Sequence, residues 1–428
     1  MTNETQARPN GDTPNNKREI WSWALYDWAN SAFATVVLAG FFPLLYQDFW
    51  SADTTPEVSN LRLGWTNAAA SLVIALSAPL IGAFADRLGA RKRLLFAFAL
   101  PGMIATGLMM GVPQGAWLYA SCLFVIATIG FQAANQLYDA LLVSVAPRNL
   151  WHRVSGLGFG LGYLGGGLLY LICVIAALNP ATFGFSTSTN AVLAAFLLTA
   201  LWWGFFSIPL LRRVREPAPS TSGNSGGLLR QVLSEVGHTL RLLPRHRTVL
   251  VFLIAYWLYI DGVGTIIRMA VAYGRALGFE RSHLILALLL VQFVGFPAAV
   301  LFGRLGEWIG PKRGIYIGLA IYTIVCVWGA FIRAPWEFYA IAVLIGLVQG
   351  GVQALSRSFY AQLIPAEKSG EFFGFYNLMG KFAALIGPPL FGLMGTWFGD
   401  VRYSMLSVIV LFIAGAVVLA RVPATEPR

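Results

Sequence analysis

The sequence predicts an all-α membrane protein with twelve transmembrane helices in two pseudo-symmetric six-helix bundles. Three observations carry this prediction. Of the 428 residues, 57% are hydrophobic and 11% are charged, with a mean hydropathy of +0.66, whereas soluble proteins carry about 25% charged residues. The apolar residues gather into long runs, and one span requires about 20 of them. The second half of the chain also repeats features of the first.

The apolar runs predict the spans in order, six in each half. They fall at residues 20–46, 62–85, 94–112, 116–146, 154–178, 189–211, 248–274, 283–303, 314–332, 336–363, 371–397 and 402–420.

A loop motif between the second and third spans recurs between the eighth and ninth. The segment 82–93 reads Gly-Ala-Phe-Ala-Asp-Arg-Leu-Gly-Ala-Arg-Lys-Arg, and the segment 303–313 reads Gly-Arg-Leu-Gly-Glu-Trp-Ile-Gly-Pro-Lys-Arg. A glycine, an acid, a second glycine and a basic pair therefore return after about 221 residues. Two similar halves in a bilayer can rock about a site between them, so the repeat predicts a transporter.

The repeat extends beyond this loop. Pro147 is followed nine residues later by Gly156, and Pro365 is followed nine residues later by Gly374. At this offset of 218, Asp139 corresponds to Arg357. The repeated region therefore covers at least the second to fifth helices of each half.

Two polar segments flank the first half. Residues 1–19 lack the apolar core of a signal peptide, so we expect a disordered cytoplasmic tail before a first helix that is retained. Residues 212–246 form a cytoplasmic linker that is rich in Pro, Ser and Gly at its start. Within it a helically spaced apolar stripe predicts an amphipathic helix on the membrane surface or a short helix packed on the bundle: Leu229, Leu233, Val236, Leu240 and Leu243. The predicted bundles are therefore 20–211 and 247–428.

The distribution of Lys and Arg among the loops predicts the orientation. With the N-terminus in the cytoplasm, the inner loops hold most of the cations, from Arg87 and Arg91 to Arg421 and Arg428, and the outer loops hold only five. We therefore expect both termini in the cytoplasm. The net charge of +11 then reflects loop bias and anionic lipid headgroups rather than a nucleic acid.

The chain offers no catalytic or metal-binding pattern. Its three cysteines, Cys122, Cys173 and Cys326, fall inside apolar spans without metal-ligand spacing. No zinc motif, P-loop or nucleophile elbow is present. We expect no enzyme activity, no cofactor and no metal site.

The loop at 82–93 resembles the signature loop of the major facilitator superfamily. Twelve spans, an internal repeat and a long middle loop agree with that resemblance. The run Tyr-Asp-Trp-Ala-Asn-Ser-Ala-Phe at 26–33 further resembles the opening of the vacuolar amino-acid effluxer branch. The resemblance implies proton-linked transport of a small solute, such as a neutral amino acid, across the membrane.

The resemblance also implies a charge network that locks the inner gate. Gly82 permits close approach of helices, and Gly89 permits a tight reversal. Asp86 would belong to the network, Asp139 could join it, and Glu307 could face Arg357 in the second half. The alternative is that these charges only fix the topology. The predicted network comprises Gly82, Asp86, Arg87, Gly89, Arg91, Arg93, Asp139, Glu307 and Arg357.

Polar side chains form stripes on four apolar spans, and charges inside a membrane usually face the bundle interior. In the superfamily, spans 1, 4, 7 and 10 line the central cavity, and the strongest stripes fall on those four spans. Span 11 adds two polar residues. The predicted cavity residues are Asp27, Asn30, Ser31, Gln132, Asn135, Gln136, Asp261, Arg268, Gln349, Gln353, Asn377 and Lys381.

The chemistry of these residues suits a zwitterion. Amides donate and accept hydrogen bonds without net charge. Asp27 or Asp261 could meet an ammonium group, and Arg268 or Lys381 a carboxylate. The alternative is an internal ion pair, for example Asp261 with Arg268.

Proton coupling requires a group that gains and loses a proton during transport. The four histidines lie in loops or at helix ends, so the candidates are the carboxylates Asp27 and Asp261. We prefer Asp27, about two turns inside the first helix. The alternatives are that Asp27 pairs with a basic neighbour and that sodium is the coupling ion.

Three functions compete on the sequence alone. The first is a secondary carrier for a small polar solute, acting as a monomer in the bilayer. The second is a multidrug or lipid exporter on the same fold, against which the amide-rich stripes count. The third is a non-transporting membrane sensor or enzyme, for which neither a catalytic constellation nor an output domain is visible.

Overall fold

The computed structural model describes residues 16–216, 246–382, 386–400 and 402–423, together with 232–234, 236, 237, 239 and 241. The described chain is nearly all helical, as predicted. Its helices are α1 (Lys17–Ala32), α2 (Pro56–Leu88), α3 (Arg91–Leu108), α4 (Trp117–Val145), α5 (Trp151–Leu178), α6 (Ser188–Arg213), α7 (Arg247–Ala276), α8 (Arg281–Ile309), α9 (Pro311–Gly329), α10 (Pro335–Leu363), α11 (Ser369–Phe382), α12 (Gly387–Phe398) and α13 (Arg402–Ala420).

Within these residues, ten helices are long and apolar enough to cross a membrane. The first of them runs from Lys17 to Trp50, because α1 continues through π-helical turns at Phe33–Phe41 and Tyr46–Trp50. The ninth predicted span falls on α9, whose first turn carries Lys312 and Arg313. The eleventh is divided between α11 and α12.

The polar segments depart from the predicted boundaries where they are described. The first helix begins at Lys17, inside the expected tail, because the Asn16 side chain accepts a hydrogen bond from the Arg18 N–H and caps the helix. Residues 1–15 lie outside the described part. In the linker, Leu229, Leu240 and Leu243 also lie outside it; Val236 is buried and Leu233 is half exposed.

Proline and glycine residues mark where several helices begin and end. Pro56, Pro311 and Pro335 stand at the first position of α2, α9 and α10, where a missing N–H costs nothing. Gly89 ends α2 with φ +58°, and its repeat counterpart Gly310 stands between α8 and α9 with φ +85°. Both copies of the repeated loop therefore turn on a glycine in a conformation that other residues rarely adopt.

The two halves meet most extensively through two helix pairs, α2 with α11 and α5 with α8. In the first pair, a Cβ on Gly82 would lie 2.0 Å from the Gly370 carbonyl oxygen. In the second, a Cβ on Gly156 would lie 2.8 Å from the Cα of Gly303. Gly82 and Gly303 are repeat counterparts, so both pairs pack backbone against backbone through the same kind of residue. We call the end of the molecule that carries these contacts and the repeated loops the signature face.

We predict that Gly82→Ala destabilises this closed arrangement by about 1–3 kcal/mol, because its methyl group would overlap backbone that belongs to α11. Thermal melting of the purified protein measures the effect. Gly64→Ala in the same helix is the control, since nothing lies within 4 Å of its added Cβ. A melting temperature that is equal for both variants would contradict the packing.

Candidate functional site

A cavity of about 360 Å³ lies between the two halves. Its walls come from α1 with its π-helical continuation, α4, α5, α7, α8 and α10. Six predicted cavity residues line it: Asp27, Asn30, Ser31, Asn135, Gln349 and Gln353. The structure therefore brings together carboxylate, amide and hydroxyl groups from three helices around one space.

The polar groups on the wall are held in place by one another. The Asn30 side chain donates a hydrogen bond to Asn135, which joins α1 to α4. Across the cavity, Gln292 Nε2 on α8 donates to Thr35 Oγ1 at 2.7 Å, which joins the two halves.

The remaining walls carry residues that the sequence reasoning missed. Gln292 was missed although an isolated amide inside an apolar span was a usable signal. Aromatic rings also line the cavity: Phe131, Phe159, Tyr163 and Tyr170. Three of these rings lie in α5. The many glycines of that helix indicated helix packing and gave no sign that its rings line a cavity.

Three predicted amides do not line this cavity. Gln136 is buried and its Nε2 donates to the Ala78 carbonyl at 2.6 Å, so it ties α4 to α2. Asn377 Nδ2 donates to the Phe373 carbonyl one turn back in α11. Gln132 is half-buried off the wall. The helical stripe on α4 therefore divides between the cavity and the bundle core.

The charged residues predicted on α7 are also placed elsewhere. Asp261 is fully buried and accepts hydrogen bonds from the Ile386 and Gly387 N–H groups at 3.1–3.2 Å. It thus caps the start of α12, where a helix leaves N–H groups unsatisfied. Arg268 is absent from the cavity wall, and among the described residues no ion pair joins it to Asp261. The side chain of Lys381 lies outside the described part.

A buried cluster of three charges lies beneath the cavity. Arg357 of α10 donates from Nη1 to Asp139 Oδ1 at 2.9 Å. The same Nη1 lies 3.6 Å from Asp27 Oδ2, which also accepts from the Tyr138 hydroxyl at 3.1 Å. Both acids belong to the first half and the arginine to the second, so one guanidinium is shared by two carboxylates across the interface.

The guanidinium is held firmly. Its Nε and Nη2 donate to Ser155 Oγ at 2.9 Å and to the Ser155 carbonyl at 3.0 Å. The rings of Phe159 and Trp23 lie 4.3 and 5.0 Å from its Cζ, within cation–π range. The first half therefore supplies all of these contacts to Arg357.

On the far side of this cluster from the cavity, Asp86 closes the signature face. Asp86 accepts from Arg91 Nε at 2.7 Å and from the Gly370 and Glu371 N–H groups at 3.0 and 2.9 Å. Those two N–H groups open α11, where a negative charge is stabilised by the helix dipole. Arg91 reaches the carbonyls of Ala366 and Glu367 at 3.3 and 3.4 Å. An acid of the first half therefore caps a helix of the second.

Several predicted network contacts are corrected. Glu307 forms no ion pair with Arg357 in the described chain, and its Oε1 has no hydrogen-bond partner there. Arg357 turns instead to Asp139, its own repeat counterpart. The Arg93 side chain is exposed, and it forms no ion pair among the described residues. Arg87 is half-buried at the end of α2.

Comparisons with known proteins agree with this architecture. The family model described as "Vacuole effluxer Atg22 like" matches residues 15–60 and 64–428. The uncharacterised MFS-type transporter YxiO of Bacillus subtilis (strain 168) is 38% identical over 410 residues, 94% of each chain. Autophagy-related protein 22-1 of Penicillium rubens is 24% identical over 541 residues, 95% of this chain and 90% of that protein.

Solved structures share the fold. The proton:xylose symporter XylE, a major facilitator protein, superposes with a TM-score of 0.75 at 16% identity over 98% of both chains. A bacterial homologue of the iron transporter ferroportin in its outward-facing state gives 0.65 at 14% identity, over 95% of this chain and 98% of that one. The predicted major facilitator fold is confirmed.

We predict that Gly387→Ala lowers the melting temperature, because its Cβ would lie 1.9 Å from Thr265 Oγ1 and 2.7 Å from Asp261 Oδ1 and would displace the cap. Gly392→Ala in the same helix has nothing within 4 Å and should melt like the parent. Equal melting temperatures would show that Asp261 does not hold the start of α12.

Proposed function

Because the chain belongs to the Atg22-like vacuole effluxer family of major facilitator transporters, we propose that it carries a neutral amino acid across the membrane by proton-coupled alternating access. The cavity beside Asp27 is the observation that carries this proposal. It joins an acid, five amides and hydroxyls in one space between two halves that can move against each other.

The cavity's size and lining favour a small zwitterion. Its volume of about 360 Å³ is near the lower end of the roughly 300–1,000 Å³ typical of small-molecule sites, which counts against a multidrug or lipid exporter. Asp27 can accept hydrogen bonds from an ammonium group. With Arg268 off the wall, the substrate carboxylate would be bound by the amide N–H groups of Asn135, Gln349 and Gln353.

The three-charge cluster supports proton coupling. Two carboxylates face one guanidinium, so the cluster has one excess negative charge when both are ionised. Asp27 lines the cavity, whereas Asp139 makes the shorter contact with Arg357 and does not line it. A proton that enters the cavity would therefore neutralise Asp27.

Protonation of Asp27 would also favour opening. Both acids belong to the first half, and their combined attraction holds Arg357 of the second half. Loss of the Asp27 charge removes part of that attraction and weakens the closed signature face. Opening would then expose substrate and proton to the other side of the membrane, which links the two movements.

We further propose that the signature face is cytoplasmic, with both termini on that side, in a bacterial inner membrane. The many Lys and Arg residues at this face support the orientation. The protein would act as a monomer, since each molecule holds a complete cavity between its halves, and it would need neither cofactor nor metal ion.

We predict that Asp27→Asn abolishes pH-driven uptake into proteoliposomes and leaves exchange of substrate between the two sides, because the amide can bind but cannot carry the proton. Asp53→Asn is the control, since Asp53 is exposed in the loop before α2 and, among the described residues, pairs only with Arg62 at 3.7 Å. Unchanged pH-driven uptake by Asp27→Asn would refute this role.

We predict that, within a panel of radiolabelled metabolites, a neutral amino acid is taken up into proteoliposomes when a pH gradient is imposed. Replacing the pH gradient by a sodium gradient should give no uptake. Uptake of cationic drugs alone would favour the exporter. A requirement for sodium would show that sodium, and not the proton, is the coupling ion. Absence of transport for every compound would favour a sensor.

A further inference from the structure

We propose that the ends of α1, α3 and α6 on the signature face form a binding surface for the headgroups of anionic phospholipids in the adjacent leaflet. Six cations make up this surface, which we call the basic surface: Lys17, Arg18, Arg93, Arg212, Arg213 and Arg215. All six are exposed.

Hydrogen bonds between helix ends bring these cations onto one surface. The Arg215 N–H donates to Glu19 Oε1 at 2.8 Å, which joins the end of α6 to the start of α1. The N–H groups of Lys92 and Arg93 donate to Glu216 at 3.0 and 2.9 Å, which joins the same segment to the start of α3. The cations are therefore neighbours in space although they are far apart in sequence.

The two carboxylates that lie among the cations, Glu19 and Glu216, accept these hydrogen bonds from backbone N–H groups and form no ion pair with the cations in the described chain. Glu19 is 7% exposed and accepts from the backbone of Arg215. Both oxygens of Glu216 accept from the backbone at the start of α3. None of the six cations forms an ion pair in the part of the chain that the structure describes. Among the described residues the surface holds six cations against these two carboxylates, which leaves an excess of positive charge.

Exposed aromatic side chains place this surface at the edge of the bilayer. Trp21, 51% exposed, lies one helical turn from Lys17, or about 6 Å along the axis. Phe205, 66% exposed, lies two turns from Arg212 and Arg213. Tryptophan prefers the depth of the lipid headgroups, so the cations beyond it reach the phosphate layer. A soluble anion would not require this order of apolar and basic residues.

The net charge of the headgroup selects the lipid. Each Lys or Arg near an anionic leaflet contributes about 1 kcal/mol, or roughly fivefold in affinity. A zwitterionic headgroup offers no net charge to the same surface. The basic surface should therefore retain phosphatidylglycerol in preference to phosphatidylcholine.

The experiment is native mass spectrometry of the full chain released from bilayers that contain equal amounts of phosphatidylglycerol and phosphatidylcholine. The parent should retain phosphatidylglycerol. The triple variant Lys17→Gln, Arg212→Gln, Arg213→Gln should retain at least about tenfold less. These side chains form no described contact that folding requires, and melting temperatures verify that. The single variants should each lose part of the binding.

The matched control is Arg247→Gln, Arg313→Gln, Arg421→Gln, which removes three exposed cations from the corresponding helix ends of the second half. It should retain phosphatidylglycerol like the parent. Equal loss in both triple variants would show only a general attraction of basic loops, and unchanged retention in the first triple variant would overturn the site. Equal retention of phosphatidylcholine by the parent would overturn the selectivity.

Discussion

Sharing of the Arg357 guanidinium between Asp27 and Asp139 is the interaction on which the closed structure depends. The guanidinium is 2% exposed, crosses from one half to the other, and is the only cation within reach of the two acids among the described ion pairs. Removing one partner of a buried pair costs about 3–5 kcal/mol, because the remaining charge stays in a low dielectric. Loss of Arg357 would leave two buried carboxylates without their shared counter-ion among the described residues.

The internal repeat explains why this interaction lies at the centre. A residue on a pseudo-twofold axis lies near its own counterpart from the other half. Asp139 and Arg357, 218 residues apart, meet in that way. The surrounding contacts show how the copies diverged: Asp86 caps α11, whereas its counterpart Glu307 leaves an oxygen without a hydrogen bond in the described chain. Two sets of contacts therefore join the halves at the signature face. One is the cap that Asp86 of the first loop motif provides to α11, and the other is the cluster of Arg357 with Asp27 and Asp139.

The sequence predicted the features that depend on pattern. Apolar runs placed the helices, and glycines at matching offsets marked where backbones approach closely. Patterning could not separate the cavity from the core, because Asn135 and Gln136 are adjacent and only the packing of α4 decides which one meets the cavity. Asp261 was similarly misassigned, since the start of α12, which it caps, lies more than 120 residues away. The pairing of Asp139 with Arg357 was predictable in principle from the repeat offset alone.

The pairing of Asp139 with Arg357 across the two halves can be tested most directly by exchanging the two charges. The readout is labelling of Ser369→Cys, a position that is fully buried against Ala140 between the halves, in a background without Cys122, Cys173 and Cys326. Labelling by an impermeant thiol reagent should be slow in the parent, fast in Asp139→Arg and in Arg357→Asp, and slow again in the double exchange. Labelling of the double exchange as fast as either single variant would contradict the pairing, as would slow labelling of both single variants.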